Sequence, residues 1–408
     1  MQEIDQLIEE AQLDSSGVFS LDPEKALEKL ATYQFPDPSF WVLKIVQAAV
    51  VAGVAGISVR LLRRYTLIEF QPEEQEFPDL PVLFGRIPRE QNRAWQHLKR
   101  GLWSLAVQNC TFECGWPGQP RSWTYRNQWS EEAGPAGPNF FLKISPNDTS
   151  ARWNAELLQV LTSRAFLCPV PLLVDGRPIQ GLQRCPQHGL SPTAFPFYSD
   201  LNDDPDLAEL PLPESTFQSV SQPGALVPRV HSVPRVWGRI SLACLVSAHF
   251  RATATGWKPL PTPSMIYWIS DGVVVDREEM DLTPGIVSCS AYISASGLPL
   301  DLSSFRLILR GPRAARARAA VKLTQLLVRH AQVPRGVMEE PAQSSSNRAP
   351  LVALGSGLAL TAWMPPLGVC MLVGSLGALI WGSGQSDQLL AHLDRDLARL
   401  KDLLKRRS

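Results

Sequence analysis

Residues 40–61 read FWVLKIVQAAVVAGVAGISVRL. From Phe40 to Gly53 this stretch is almost wholly apolar, and a helix apolar on nearly all sides is a buried one. At Ile57 the pattern changes to alternation, which is the signature of a strand. A partner strand follows at once in RYTLIEF, Arg64 to Phe70. A core helix running into a strand pair predicts helices layered on a sheet, an α+β fold.

Working outward, residues 2–13 predict a short amphipathic helix, and Asp22-Pro23-Glu24 a second helix start with Asp22 as N-cap and Pro23 at the first helical position. PDPSF, residues 36–40, breaks that helix. Beyond a loop at 72–90, Asn92 to Gln108 predicts an amphipathic helix around Trp95, Leu98, Leu102 and Leu105. NCTFECGW, RSWTYRN and NFFLKIS read as strands, Asn154 to Leu167 as a helix, and VPLLVDGRPI as a further strand. Residues 181–233 are rich in Pro, Asp and Ser and lack periodicity. After them come the strands GRISLACLVSA, MIYWISDGVVVDRE and IVSCSAYISA, and a helix from Ala314 to Ala331.

The expected organisation is an N-terminal helix (1–20), an α/β domain built as a two-layer sandwich (21–180), a linker or insertion (181–234), a second, smaller α/β domain (235–332), a flexible linker (333–349), an apolar segment (350–385) and an amphipathic basic helix (386–408). Lys plus Arg and Asp plus Glu both total 39, so net charge points to no polyanionic or polycationic partner. Seven cysteines at irregular spacing predict no disulfide framework. The acidic start, MQEIDQLIEEAQ, lacks the basic and apolar regions of a cleaved signal.

From Pro350 to Ser386 no residue is charged. Leu351 to Trp381 exceeds the ~20 apolar residues that a membrane span requires. Trp363 and Trp381 suit a lipid interface, and Pro365-Pro366 divides the run, predicting one kinked span or a hairpin. Basic flanks on both sides favour the hairpin, although each arm would then be short for a full span. The expectation is a membrane protein with its N-terminal bulk in the cytoplasm and lipid as a partner. At the C-terminus Leu390, Leu393, Leu397, Leu400 and Leu404 follow a 3,4 repeat. That seam serves self-association or a protein partner, lies on anionic lipid, or packs within the chain.

Two stretches carry a family resemblance: VLKIVQAAVVAGVAGISVRL, Val42 to Leu61, and NFFLKIS…NAELLQVLTSRAFLCPVPLLVDGRPI, Asn139 to Ile179. Their order resembles the N-terminal domain of GHKL-type ATPases, with the ninety-kilodalton heat-shock chaperones nearest in pattern. The resemblance implies a nucleotide site whose first helix carries a water-activating Glu, a magnesium-holding Asn four residues on, and an Asp three beyond that. Those positions here are Lys44, Ala48 and Val51. An amine and two hydrocarbon groups replace the oxygen ligands that magnesium takes. The glycine-rich adenine motif is replaced by FQPEEQEF, so the resemblance implies a degenerate site with no catalytic residues, no metal and no cofactor.

Other chemistry is thinly signalled. There is no phosphate loop of the G-x-x-x-x-G-K type. Cys110 and Cys114, with Cys185 and His188, lack the spacing of a zinc knuckle. Ser163 and Ser288 lack a nucleophile-elbow setting. Asp175-Gly176 and Asp271-Gly272 read as turns, and Glu73, Glu74 and Glu76 as a solvated loop. The basic run RGPRAARARAA, 310–320, reads as a solvated helix face, with no nucleic-acid partner. The function expected from the sequence is a non-enzymatic, membrane-tethered interaction or scaffold module. A chaperone-like ATPase with divergent motifs, or a scaffold acting through its C-terminal hairpin, are the alternatives.

Overall fold

The structure, a computed structural model, describes residues 35–73, 79–85, 92–134, 137–146, 151–181, 194–213, 231–233, 239–253, 256–301, 303, 305–308, 311–333 and 386–406. The calls on residues 1–20 and 350–385 lie outside these.

PDPSF does not simply break the chain. Asp37 accepts a hydrogen bond from the Ser39 amide at 2.8 Å and caps a single 3₁₀ turn, Pro38–Phe40, with proline at its start. That turn feeds directly into α1 (Trp41–Val51), buried along nearly its whole length, Lys44 and Gln47 included. β1 (Ile57–Leu61) and β2 (Thr66–Phe70) form the expected antiparallel pair. After α2 (Leu80–Gly85), α3 (Arg93–Val107) starts where Asn92 Oδ1 accepts from the Ala94 amide at 2.8 Å. The strands β3 (Thr111–Gly115), β4 (Arg121–Tyr125), β5 (Trp129–Ala133) and β6 (Phe140–Ser145) follow. α4 (Ala151–Arg164) then leads to β7 (Leu172–Val174) and β8 (Arg177–Pro178). These eight strands make one sheet in the order β5-β4-β3-β6-β2-β1-β7-β8, parallel only between β1 and β7.

A second sheet is built by β9 (Ala194–Asn202), β10 (His231–Val233), β11 (Leu242–Thr253), β12 (Gly256–Pro259), β13 (Met265–Ser270), β14 (Val273–Glu279) and β15 (Val287–Ser294). Its order is β10-β9-β11-β15-β13-β14, with β12 paired to β11. β9 and β10 fall in the stretch read from sequence as linker or insertion. α5 (Gly311–His330) and α6 (Ser386–Arg406) complete the described chain.

One core joins the sheets. A single apolar cluster contains Trp41 and Ile45 of α1, Val59 and Ile68 of the first sheet, Trp268 and Cys289 of the second, and Leu397 of α6. The opposite face of the second sheet has its own cluster, with Phe166 edge-on to Tyr292 and Tyr267 stacked on Tyr292 at 5.0 Å. β14, an edge strand, is sealed from the side: Arg164 donates to the Val274 carbonyl at 3.0 Å and lies 4.5 Å above the Phe40 ring. Arg313, expected in a solvated basic face, is instead buried, donating to Glu278 and to the Leu307 carbonyl, and Arg316 donates to the carbonyls of Ser294 and Ser296.

Two expectations are corrected here. The described fold is a mixed α/β arrangement of two sheets on a shared core, and the expected membrane-spanning segment finds no support in it. Among the described residues no helix is long and apolar enough to cross a membrane. The physical reason is legible in the helices themselves. α1, the most apolar, has 11 residues, about 16 Å of helix against a ~30 Å hydrocarbon layer. α5 and α6, with 20 and 21 residues, carry charges along their length. Leu351, Trp363, Pro365, Pro366 and Trp381 lie outside the described residues. The leucine seam of α6 is turned inward: Leu393, Leu397, Leu400 and Leu404 are buried on the protein's own body. Each contributes about 1.5–3 kcal/mol.

The hairpin between β13 and β14 turns at Asp271 (φ 50°) and Gly272 (φ 77°), the two left-handed residues that a tight two-residue turn demands. A Cβ on Gly272 would stand 2.7 Å from Pro169 Cδ and 3.2 Å from Cys168 Cα. G272A is therefore expected to lower the denaturant midpoint by the equivalent of about 2–3 kcal/mol. G297A, at φ 75° with open space around it, is expected to cost only about 1 kcal/mol. Equal losses in the two variants would show that the wedge against Cys168 and Pro169 is unimportant.

Candidate functional site

The three positions singled out in α1 lie at i, i+4 and i+7, on one helix face. Lys44 is fully buried, Ala48 is 2 % exposed and Val51 is half-buried. Gln47, at i+3 from Lys44, belongs to the same face and was not singled out in the sequence. Lys44 Nζ donates to Gln47 Oε1 at 2.8 Å and sits 4.3 Å from the centre of the Phe305 ring. Gln47 Nε2 in turn donates to the Ser270 carbonyl at 3.0 Å, on the hairpin of the second sheet. Burial drives the Lys44 pKa well below its ordinary value, and the nearby Arg100 charge pushes the same way, against Asp271 and Asp301. The amine is thus a packing group satisfied by an amide and an aromatic face.

One residue on, Asp271 gathers the polar side chains that α3 sends toward the hairpin. Arg93 donates to both its carboxylate oxygens, at 3.0 and 2.7 Å. His97 Nε2 lies 3.1 Å from Oδ2 and the Ser270 hydroxyl 3.2 Å from the same oxygen. A carboxylate only accepts, so His97 carries its proton on Nε2, and its Nδ1 is buried with no partner among the described residues. Burial raises the Asp271 pKa, but the His97 hydrogen bond, with the His97 and Arg93 charges, outweighs it and leaves the group below its usual range. Burial lowers the His97 pKa against the pull of Asp271, so the imidazole is neutral at pH 7. The sequence reading of Asp271-Gly272 as a turn holds; the carboxylate's role in joining α3 to the hairpin needed the tertiary structure.

Chemically this junction offers little to a nucleotide. Its carboxylate is occupied by Arg93, His97 and Ser270, and the α1 face presents a buried amine, an amide already used twice, and hydrocarbon. A magnesium-bound triphosphate requires free oxygen ligands and positioning groups. Among the described residues no group of three or more His, Cys, Asp or Glu is placed to hold a metal ion. Cys110 and Cys114 are buried thiols, Cys110 pushed up to about 11 by burial, while Cys185 and His188 lie outside the described residues. Glu73 stands over Gly53 at the end of α1, and its neighbours Glu74 and Glu76 are not described. Elsewhere, His249 Nε2 lies 2.7 Å from the Ser288 hydroxyl, both buried between β11 and β15. Burial lowers His249 to about 4. A serine and histidine in contact this deep form a core hydrogen bond, not an accessible nucleophile.

Two tests follow from this geometry. His97 and His249 both have folded-state pKa values below their unfolded value of 6.5. Their contribution is complete above pH 6.5 and is lost as pH falls toward the folded values. Stability is expected to drop between pH 6.5 and about 4, with His249 supplying on the order of 3 kcal/mol of that drop. Asp271, depressed below 3.8, stays ionised across the window and does not contribute to it. Denaturant midpoints taken across this range check the slope, and H249Q is expected to flatten it. Second, D271N should cost about 1.5–3 kcal/mol at neutral pH, as loss of hydrogen bonds to a charged acceptor. R93A, whose side chain is 56 % exposed, should cost under about 1 kcal/mol.

No family model matches the chain, and no curated protein matches it. Among solved structures, the N-terminal domain of a DNA repair protein is similar to it over 76 % of this chain and 98 % of that one, at 10 % identity and a TM-score of 0.39. A likeness this weak carries no argument about fold or activity, and the GHKL assignment drawn from the sequence is not shown by it.

Proposed function

We propose that this chain is a non-enzymatic interaction or scaffold module, whose interior is closed by its own side chains where an ATPase-like reading would put a nucleotide. The observation that carries this is Lys44. The fully buried Lys44 side chain, its Nζ hydrogen-bonded to Gln47 and set against Phe305, occupies the α1 face on which catalysis would require a carboxylate and an amide oxygen. Gln47, the other polar side chain on that face, is spent on Lys44 and on the Ser270 carbonyl. Binding a triphosphate there would strip a buried amine and a buried amide of their partners, which costs about 1–3 kcal/mol for each polar group left unpaired. On this reading the two sheets, their shared core and the surface helices serve as a scaffold that holds partners.

Isothermal titration of the full chain with ATP and magnesium tests this reading directly. No heat of binding is expected up to millimolar nucleotide, with or without chelator. Micromolar binding abolished by chelator would establish the opposite, a divergent nucleotide-binding protein.

A further inference from the structure

We infer that the solvent face of α5 is a docking surface for an acidic amphipathic helix of a partner protein. This deepens the proposed function by naming the kind of partner the scaffold holds, and it rests on that reading. α5 carries Arg313, Arg316, Arg318, Lys322, Arg329 and His330, and none of its 20 residues is Asp or Glu. Two of these cations anchor the helix to the second sheet: Glu278 holds Arg313, and the carbonyls of Ser294 and Ser296 hold Arg316. Ala320, Leu323, Leu327 and Val328 bury its inner side. Arg318, Lys322 and Arg329 are exposed and make no ion pair among the described residues. At about 100° per residue, these three and Leu326, itself 43 % exposed, fall within about 80° of one another on the helix. The cations span about 16 Å along its axis. Gly311 and Ala315 extend the same stripe toward the start of α5 with little side-chain bulk.

Arg318 and Lys322 stand at i and i+4, a like-charge pair that weakens a helix. The helix dipole favours cations in the last turn, which accounts for Arg329 and His330 but not for the two in the middle. Repulsion left unrelieved on a helix already anchored by Arg313 and Arg316 makes a preorganised surface for carboxylates. The stripe is straight and one helix wide. A partner helix laid along it can present Asp or Glu at three- and four-residue spacing to the cations, and an apolar side chain to Leu326. Nucleic acid fits less well. Phosphate offers nothing to Leu326, and the stripe has no aromatic side chain on which a base could stack. Lys plus Arg and Asp plus Glu are equal at 39 each, so no net positive charge gathers a polyanion.

The test is fluorescence anisotropy of a labelled helical peptide built of repeated E-A-A-L-E-A-A, titrated with the full chain. Binding is expected at low salt and is expected to weaken as salt rises, because the cations are solvent-exposed. In R318E/K322E the affinity is expected to fall about tenfold or more, as carboxylates come to face carboxylates. R318Q/K322Q removes the charge without reversing it and is expected to weaken binding about threefold or more; should the reversal misfold, this variant still reports. Its thermal midpoint is expected to match or exceed that of the parent, since a repelling pair is gone. No binding of the peptide, or equal binding by the parent and R318Q/K322Q, would overturn the inference. So would binding of a short DNA duplex or of phosphatidylserine vesicles that depends on Arg318 and Lys322 while the peptide stays free. The two readings fail separately: nucleotide binding in the ATP titration would sink the closed junction whatever the peptide does, and an unbound peptide would leave that junction standing.

Discussion

The hydrogen-bonded wedge of Ser270, Asp271 and Gly272 holds this molecule together as one body. The tip of the β13–β14 hairpin enters between α1, α3 and the connection after α4. There it meets Gln47 through a carbonyl, Arg93 and His97 through a carboxylate, and Cys168 and Pro169 through bare van der Waals contact. Among the described residues the large shared cluster between the sheets is apolar and non-directional, and such contacts tolerate sliding. The wedge, together with Arg164 on the Val274 carbonyl, supplies fixed partners at fixed distances. It also explains why a lysine is tolerated in the middle of the core helix. Lys44 is satisfied by Gln47, and Gln47 is held in place by the hairpin. Buried polar groups of this kind are costly unless each member finds a partner, and a satisfied set fixes a single arrangement.

Much of the fold was legible in the sequence because local signals and tertiary structure agree. The apolar run from Phe40 to Gly53 is the buried helix it suggested, Asn92 caps α3, and most of the alternating runs became strands within a residue or two, while GRISLACLVSA starts four residues late and runs five further, as Leu242–Thr253. Agreement of this kind across levels is what a funnelled landscape requires. β5 and β9 escaped for the opposite reason. β5, WSEEA, is exposed along most of its length and has no inward face to mark it. β9 lies among prolines and aspartates that read as loop, and its pairing with β11 is set by partners 40 to 55 residues away, from Asn202 with Leu242 to Ala194 with His249.

The junction was half visible. Lys44 and Ala48 drew notice through a family pattern, but what the face does depends on Gln47, His97 and Asp271, three residues from three elements with no shared spacing. Long-range hydrogen bonds leave no periodic trace. The membrane reading failed for a related reason. An uncharged run satisfies a length criterion by itself, whereas the described helices put their apolar faces against protein and none is long and apolar enough to cross a bilayer. The leucine repeat of α6 was equally ambiguous, because amphipathicity marks a face and not its partner.

The sealing of β14 has a consequence for how the protein behaves in company. An open sheet margin is an invitation to any stray extended peptide, since its unused carbonyls and amides form a ready template. Here the guanidinium of Arg164 takes the Val274 carbonyl, Asp276 accepts from the Leu307 amide, and Arg313 covers Glu278. Side chains from α4 and α5 thus lie against that margin, and an added strand would have to displace Arg164 from the Val274 carbonyl before it could pair there.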